Sequence, residues 1–67
     1  MAKNNDLKAA RLVAGITQGE LAMMIGVNSS TVCMWEAGKQ KPAPAKYRAL
    51  AEALALPTEA VVKMFIA

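Results

Sequence analysis

Residues 17–37 read Thr17-Gln18-Gly19-Glu20-Leu21-Ala22-Met23-Met24-Ile25-Gly26-Val27-Asn28-Ser29-Ser30-Thr31-Val32-Cys33-Met34-Trp35-Glu36-Ala37. Thr17 is a favoured N-cap residue, and Glu20 stands where a capping box needs its acid, so a helix is expected from Gln18. Leu21, Ala22 and Ile25 line one face of it at helical spacing. Gly26 can adopt the left-handed conformation that ends a helix, and only Val27 separates it from Asn28, the next capping candidate. The pattern predicts two short helices, Gln18–Ile25 and Ser29–Ala37, joined by about three residues and turned sharply against each other. Ala22 is small where the second helix crosses close over the first, and Val27, Val32 and Trp35 point back to a common core. Trp35, a helical-period neighbour of Val32, reads as core rather than as a stacking platform. The other face of the second helix is left free.

Working outward, Leu7, Ala10, Arg11 and Ala14 follow helical spacing after Asp6, a capping candidate, and Gly15 supplies a stop, so a first helix is expected over Asp6–Ala14. Beyond Ala37, Gly38 stops the chain and Lys39-Gln40-Lys41-Pro42-Ala43-Pro44 forms a basic, proline-punctuated loop. Pro44 suits the first turn of a fourth helix with an apolar stripe of Tyr47, Leu50, Ala51 and Leu54, which Pro57 breaks. A last helix, Thr58 to Phe65, carries Val61, Val62 and Phe65. The expectation is one all-α domain of five helices spanning residues 1–67, without repeats or linkers.

Composition narrows the function. A chain of 67 residues builds one core, and a core that small seldom supplies more than about 3–5 kcal/mol, so a partner is expected to help. The single cysteine, Cys33, and the absence of histidine leave no intrachain disulfide, no structural zinc set and no Ser/His or Cys/His catalytic pair. The chain is therefore not expected to be an enzyme or to need a metal or cofactor. No apolar run approaches the roughly 20 residues that span a bilayer, and Lys3-Asn4-Asn5-Asp6 is not a signal-peptide start, so the cytoplasm is the expected compartment. A net charge of +3 biases the surface mildly towards polyanions and decides little by itself.

The segments Ile16-Thr17-Gln18-Gly19-Glu20-Leu21-Ala22 and Trp35-Glu36-Ala37-Gly38-Lys39, with Gly26-Val27 and Val32 between them, resemble the phage lambda-type repressor and Cro helix-turn-helix family, also called XRE-like. The likeness runs from Leu7 to about Val62 and implies a five-helix lambda-repressor-like fold with a helix-turn-helix over residues 17–37. In such a domain the third helix lies in the major groove, where each base pair shows a distinct donor and acceptor pattern. By resemblance, Asn28, Ser29, Ser30 and Met34 stand where base contacts are made, with Cys33 at the margin. Asn28 suits either a plain N-cap or an adenine contact, and Ser29 and Ser30 suit bases, phosphates or a polar first turn. Met34 departs from the family habit of a polar or basic residue and offers apolar contact, for example to a thymine methyl. Cys33 reads as helix surface, since no histidine activates it. Met23, Met24 and Met64 read as core filler or surface.

The resemblance makes Gln18 a phosphate contact that also braces the third helix. Thr17 is a cap first and a phosphate contact second. Lys39, Gln40 and Lys41 follow in a mobile loop as phosphate contacts, with Lys46 and Arg48 as weaker candidates; the loop is a residue longer than in some phage relatives. Arg11 and Glu36 stand where phage relatives have a structural pair. The implied function is a sequence-specific DNA-binding transcriptional regulator, most like a Cro-type repressor on a two-fold operator of double-stranded DNA. No cofactor, small-molecule ligand or membrane is expected, and no ligand-sensing or self-cleaving domain. It would act at the nucleoid of a bacterial or phage-infected cell. A homodimer, weak in free solution, is expected through the fifth helix, using Thr58, Glu59, Val61, Val62 and the Phe65-Ile66 end. The competing expectation is an antitoxin-like or regulatory interaction module whose helix-turn-helix surface meets a protein.

Overall fold

The computed structural model describes residues 5–65, and among them the chain forms five helices and no strand. These are α1 (Asn5–Ala14), α2 (Gln18–Ile25), α3 (Ser29–Glu36), α4 (Pro44–Leu54) and α5 (Thr58–Phe65). Ile66, the last residue of the expected dimer surface, lies outside the described residues. Asn5, the first described residue, is already helical, which places Asp6 within the first turn of α1 rather than at the cap, where its charge still favours the positive end of the helix dipole. Helix α3 ends one residue earlier than expected, with Ala37 as its C-cap.

The start of α2 is a complete capping box. Thr17 Oγ1 accepts from the Glu20 N–H at 3.0 Å, and Glu20 Oε1 accepts from the Thr17 N–H at 2.8 Å. Its end is Gly26 at φ 77°, ψ 33°, with the Val27 N–H returning to Ala22 O at 2.9 Å. A β-carbon at Gly26 would meet nothing within 4 Å, so glycine is needed here for its left-handed backbone and not for space. Residue 26 thus sets the angle at which α3 leaves α2.

The core takes Leu7 from α1, Leu21, Ala22 and Ile25 from α2, Val32 and Trp35 from α3, Leu50, Ala51 and Leu54 from α4, and Val61 and Phe65 from α5. Each large aliphatic or aromatic side chain there is worth about 1.5–3 kcal/mol in area removed from water. Helix α2 packs on α3 and α4, and α5 lies on α4, where the Phe65 ring stacks on Tyr47 with centroids 6.0 Å apart. This corrects the expected dimer surface. Val61 is fully buried and Phe65 nearly so, because a chain this short must spend the apolar face of its last helix on its own core. Of the residues assigned to that surface, Thr58 and Glu59 remain exposed and Val62 half-buried.

The end of α4 departs from good local chemistry. Ala55 caps it in the left-handed conformation (φ 56°, ψ 42°), while the Leu56 N–H reaches Ala51 O at 2.9 Å. A β-carbon in that region crowds the following carbonyl, which costs about 1–2 kcal/mol, partly offset by the greater freedom glycine has in the unfolded chain. Ala55→Gly is therefore expected to stabilise the domain by about 0.5–1 kcal/mol, a rise of several degrees in Tm, readable by thermal unfolding followed by circular dichroism. An unchanged or lower Tm would show that this cap carries no strain.

No helix among the described residues is long and apolar enough to cross a membrane.

Candidate nucleic-acid interface

Helix α3 is divided lengthwise by what its neighbours cover. Val32, Trp35 and Glu36 are buried. On the opposite side Ser30, Cys33 and Met34, spaced i, i+3 and i+4, are exposed and form one outward stripe, with Ser29 exposed at its head. Asn28 occupies the N-cap position, but its side chain makes no capping hydrogen bond; only its carbonyl accepts from the N–H groups of Thr31 and Val32. Of the two roles open to Asn28, the side-chain cap is not the one it fills here.

What holds this helix in place is a buried polar network. Arg11 Nε donates to Glu36 Oε2 at 2.6 Å, and a second guanidinium nitrogen lies 3.3 Å from Oε1. The same guanidinium donates to Ile16 O at 2.9 Å, and Gln18 Nε2 donates to Glu36 Oε1 at 3.0 Å. One carboxylate therefore ties the end of α3 to α1 and to the first residue of α2. Burial is the largest single influence on the Glu36 carboxyl and pushes its pKa up. Hydrogen bonds from Arg11 and Gln18, with the charges of Arg11 and Lys8, together outweigh it and hold the group below its ordinary 4.5. Among the described residues no buried side-chain nitrogen or oxygen lacks a hydrogen-bond partner.

The paired roles expected of Arg11 and Glu36 are thus present, and Gln18 does brace α3. The bond from Gln18 to Glu36 could not be read from the sequence, since 18 positions separate the two residues and only the crossing of α2 and α3 brings them together. That bond also orients the Gln18 amide, with Nε2 turned to the carboxylate and a second N–H still able to meet an anion. Thr17, Gln18 and Gly19 share an open depression with Arg11, Ile16 and Ser29. The start of α2, rich in N–H groups, thus lies beside the head of α3.

Beyond α3, Lys39, Gln40 and Lys41 are all exposed, while Pro42 between them and α4 is buried. The Lys39 N–H donates to Met34 O at 3.0 Å. The loop expected to be mobile is therefore fastened at both ends, which presents its lysines from a defined backbone. Arg48 is exposed and lies 3.6 Å from Glu52 one turn on, and Lys46 is half-buried. An exposed pair of this kind contributes at most about 1 kcal/mol, so Arg48 adds little to the fold. Cys33 is a free, exposed thiol.

Residues 7–61 match the family described as helix-turn-helix. Among solved structures, the restriction-modification controller protein C.AhdI from Aeromonas hydrophila is similar to this chain with a TM-score of 0.80 and 26% sequence identity, over 87% of this chain and 84% of its own. No curated protein sequence matches the chain.

Proposed function

Since the chain belongs to the lambda-repressor-like helix-turn-helix family of DNA-binding transcriptional regulators, we propose that it is a Cro-like repressor that binds a two-fold operator as a dimer. Helix α3 enters the major groove, and Asn28, Ser29, Ser30 and Met34 meet base edges with Cys33 beside them. Thr17, Gln18, Lys39, Gln40 and Lys41 contact phosphates on either side and fix the register of α3. The observation that carries this reading is the division of α3 itself. Its inner face is locked by Trp35 and the Arg11–Glu36–Gln18 network, while its outer stripe stays outside the core and lies between two candidate phosphate-binding segments. Similarity to a restriction-modification controller protein supports a regulatory role.

One domain touches too few phosphates and bases to find a single site in a genome, which is why two copies are proposed. The mate is assigned to Thr58, Glu59 and Val62 of α5, with half-sites about 34 Å apart so that both recognition helices meet one face of the duplex. With Val61 and Phe65 spent on the core, the patch is small, and the dimer is weak in free solution. The reading includes no catalytic step, cofactor or small-molecule ligand, and puts the protein at the cytoplasmic nucleoid.

Selection of bound sites from random duplex DNA, followed by salt titration and sedimentation of the complex, tests it. Steep loss of affinity with salt, a half-site repeated with two-fold symmetry and two protomers per site are expected. Lys39→Ala is expected to weaken all duplexes about equally and to lower the salt slope by roughly one. Binding that is absent or insensitive to salt would overturn the reading in favour of a protein-interaction module. Unequal losses across sequences would remove Lys39 from the phosphate contacts.

A further inference from the structure

The stripe that α3 turns outward is electrically neutral. Ser29–Glu36 contains no lysine or arginine, and its one charged residue, Glu36, is buried against Arg11 and Gln18. The basic residues nearest in sequence on the C-terminal side, Lys39 and Lys41, follow the end of the helix; Lys39, whose N–H donates to Met34 O at 3.0 Å, is assigned to phosphate and not to a base edge. The commonest contact that selects guanine is an arginine or lysine reaching O6 and N7 together. Helix α3 itself has no group that can make it. In its place stand an amide at Asn28 with no capping bond, two short hydroxyls, and the thiol and thioether of Cys33 and Met34, the latter with 37% of its surface in solvent.

Those groups have a common preference. An amide pairs with adenine N6 and N7, and a polarisable apolar side chain in the major groove finds one apolar partner there, the C5-methyl of thymine. Resting on the reading of α3 as a major-groove helix, we infer that this protein selects A·T pairs in its half-site, with Met34 as the specificity-determining residue that reads a thymine methyl group. Each methyl group covered by Met34 contributes about a four-fold gain in affinity, the amount expected for taking one such group out of water. Asn28 supplies the neighbouring adenine contact.

The test uses the duplexes recovered by selection, with each thymine in turn replaced by deoxyuridine, which removes the methyl group and leaves Watson–Crick pairing intact. Affinity of the full chain is expected to fall about four-fold at one thymine in each half-site and to stay unchanged at the others. In Met34→Ala that sensitivity is expected to vanish, with weaker binding to the thymine duplex and a protein that still melts cooperatively as a folded domain, since Met34 lies outside the core. Three results would overturn the inference while leaving DNA binding intact: guanine specified at the contacted positions, affinity unmoved by deoxyuridine at every thymine, or undiminished methyl sensitivity in Met34→Ala. Absence of salt-dependent binding to any duplex would instead overturn the DNA-binding reading on which the inference rests, and the inference with it.

Discussion

Arg11→Met is expected to unfold about half of the protein at 25 °C. The substitution keeps the length and apolar stem of the side chain and removes only the guanidinium, leaving the Glu36 carboxylate buried with Gln18 as its one remaining side-chain partner. An uncompensated buried charge of this kind costs about 3–5 kcal/mol, which is the whole stability expected of a core this small. Replacing both residues, as Arg11→Met with Glu36→Leu, is expected to restore most of the loss, because a packed apolar pair carries no desolvation penalty. Recovery stays incomplete because Ile16 O has lost its donor. Urea unfolding of the wild type, the two single variants and the double variant reads the effect directly. A single Arg11→Met protein as stable as the wild type would show that the network is ornamental.

The same network fixes a pH dependence. The folded-state pKa of Glu36 is held below its ordinary 4.5, so its stabilising contribution is complete above about pH 4.5 and is lost as the pH falls through the lowered value. Glu36→Gln removes this titration, and its stability is expected to change less with acid than that of the wild type.

Ser30→Glu is expected to separate fold from function. Position 30 is exposed in the first turn of α3, where a carboxylate interacts favourably with the helix dipole, so thermal stability should hold or rise by about 0.3–1 kcal/mol. On the proposed face the new charge stands between the phosphate walls of the groove, and like charges brought together at an interface cost several kcal/mol, about a hundred-fold or more in affinity. Duplex binding measured by fluorescence anisotropy at fixed salt, beside a melting curve, gives both readings. Retained affinity in the folded variant would show that DNA does not approach α3 from this side.

The sequence by itself determined the elements and their order. All five helices could be read because local chemistry decides them: the Thr17–Glu20 capping box, the glycine after α2, prolines at 44 and 57, and apolar residues at helical spacing. Residue types along α3 also marked the outward stripe, since Val32 and Trp35 had to face inward. The partnership of Arg11 with Glu36 was legible only through resemblance to a family. Tertiary structure alone decided the rest. The bond from Gln18 to Glu36 exists because α2 and α3 cross at an angle set by the backbone of Gly26, and helical periodicity carries no information on which residues of two crossing helices meet. The placing of Ser29 beside Thr17 and Gln18 has the same origin. For α5 the sequence showed an apolar face without showing what covers it. The i, i+4 spacing of Val61 and Phe65 was a signal, but packing of Phe65 on Tyr47 settled that this face closes the protein's own core; of the described residues expected at a dimer surface, Thr58, Glu59 and Val62 are the ones it does not bury. Ala55 shows the limit most clearly: its type argues for continued helix, and the chain forces it left-handed because α5 must turn back on to α4.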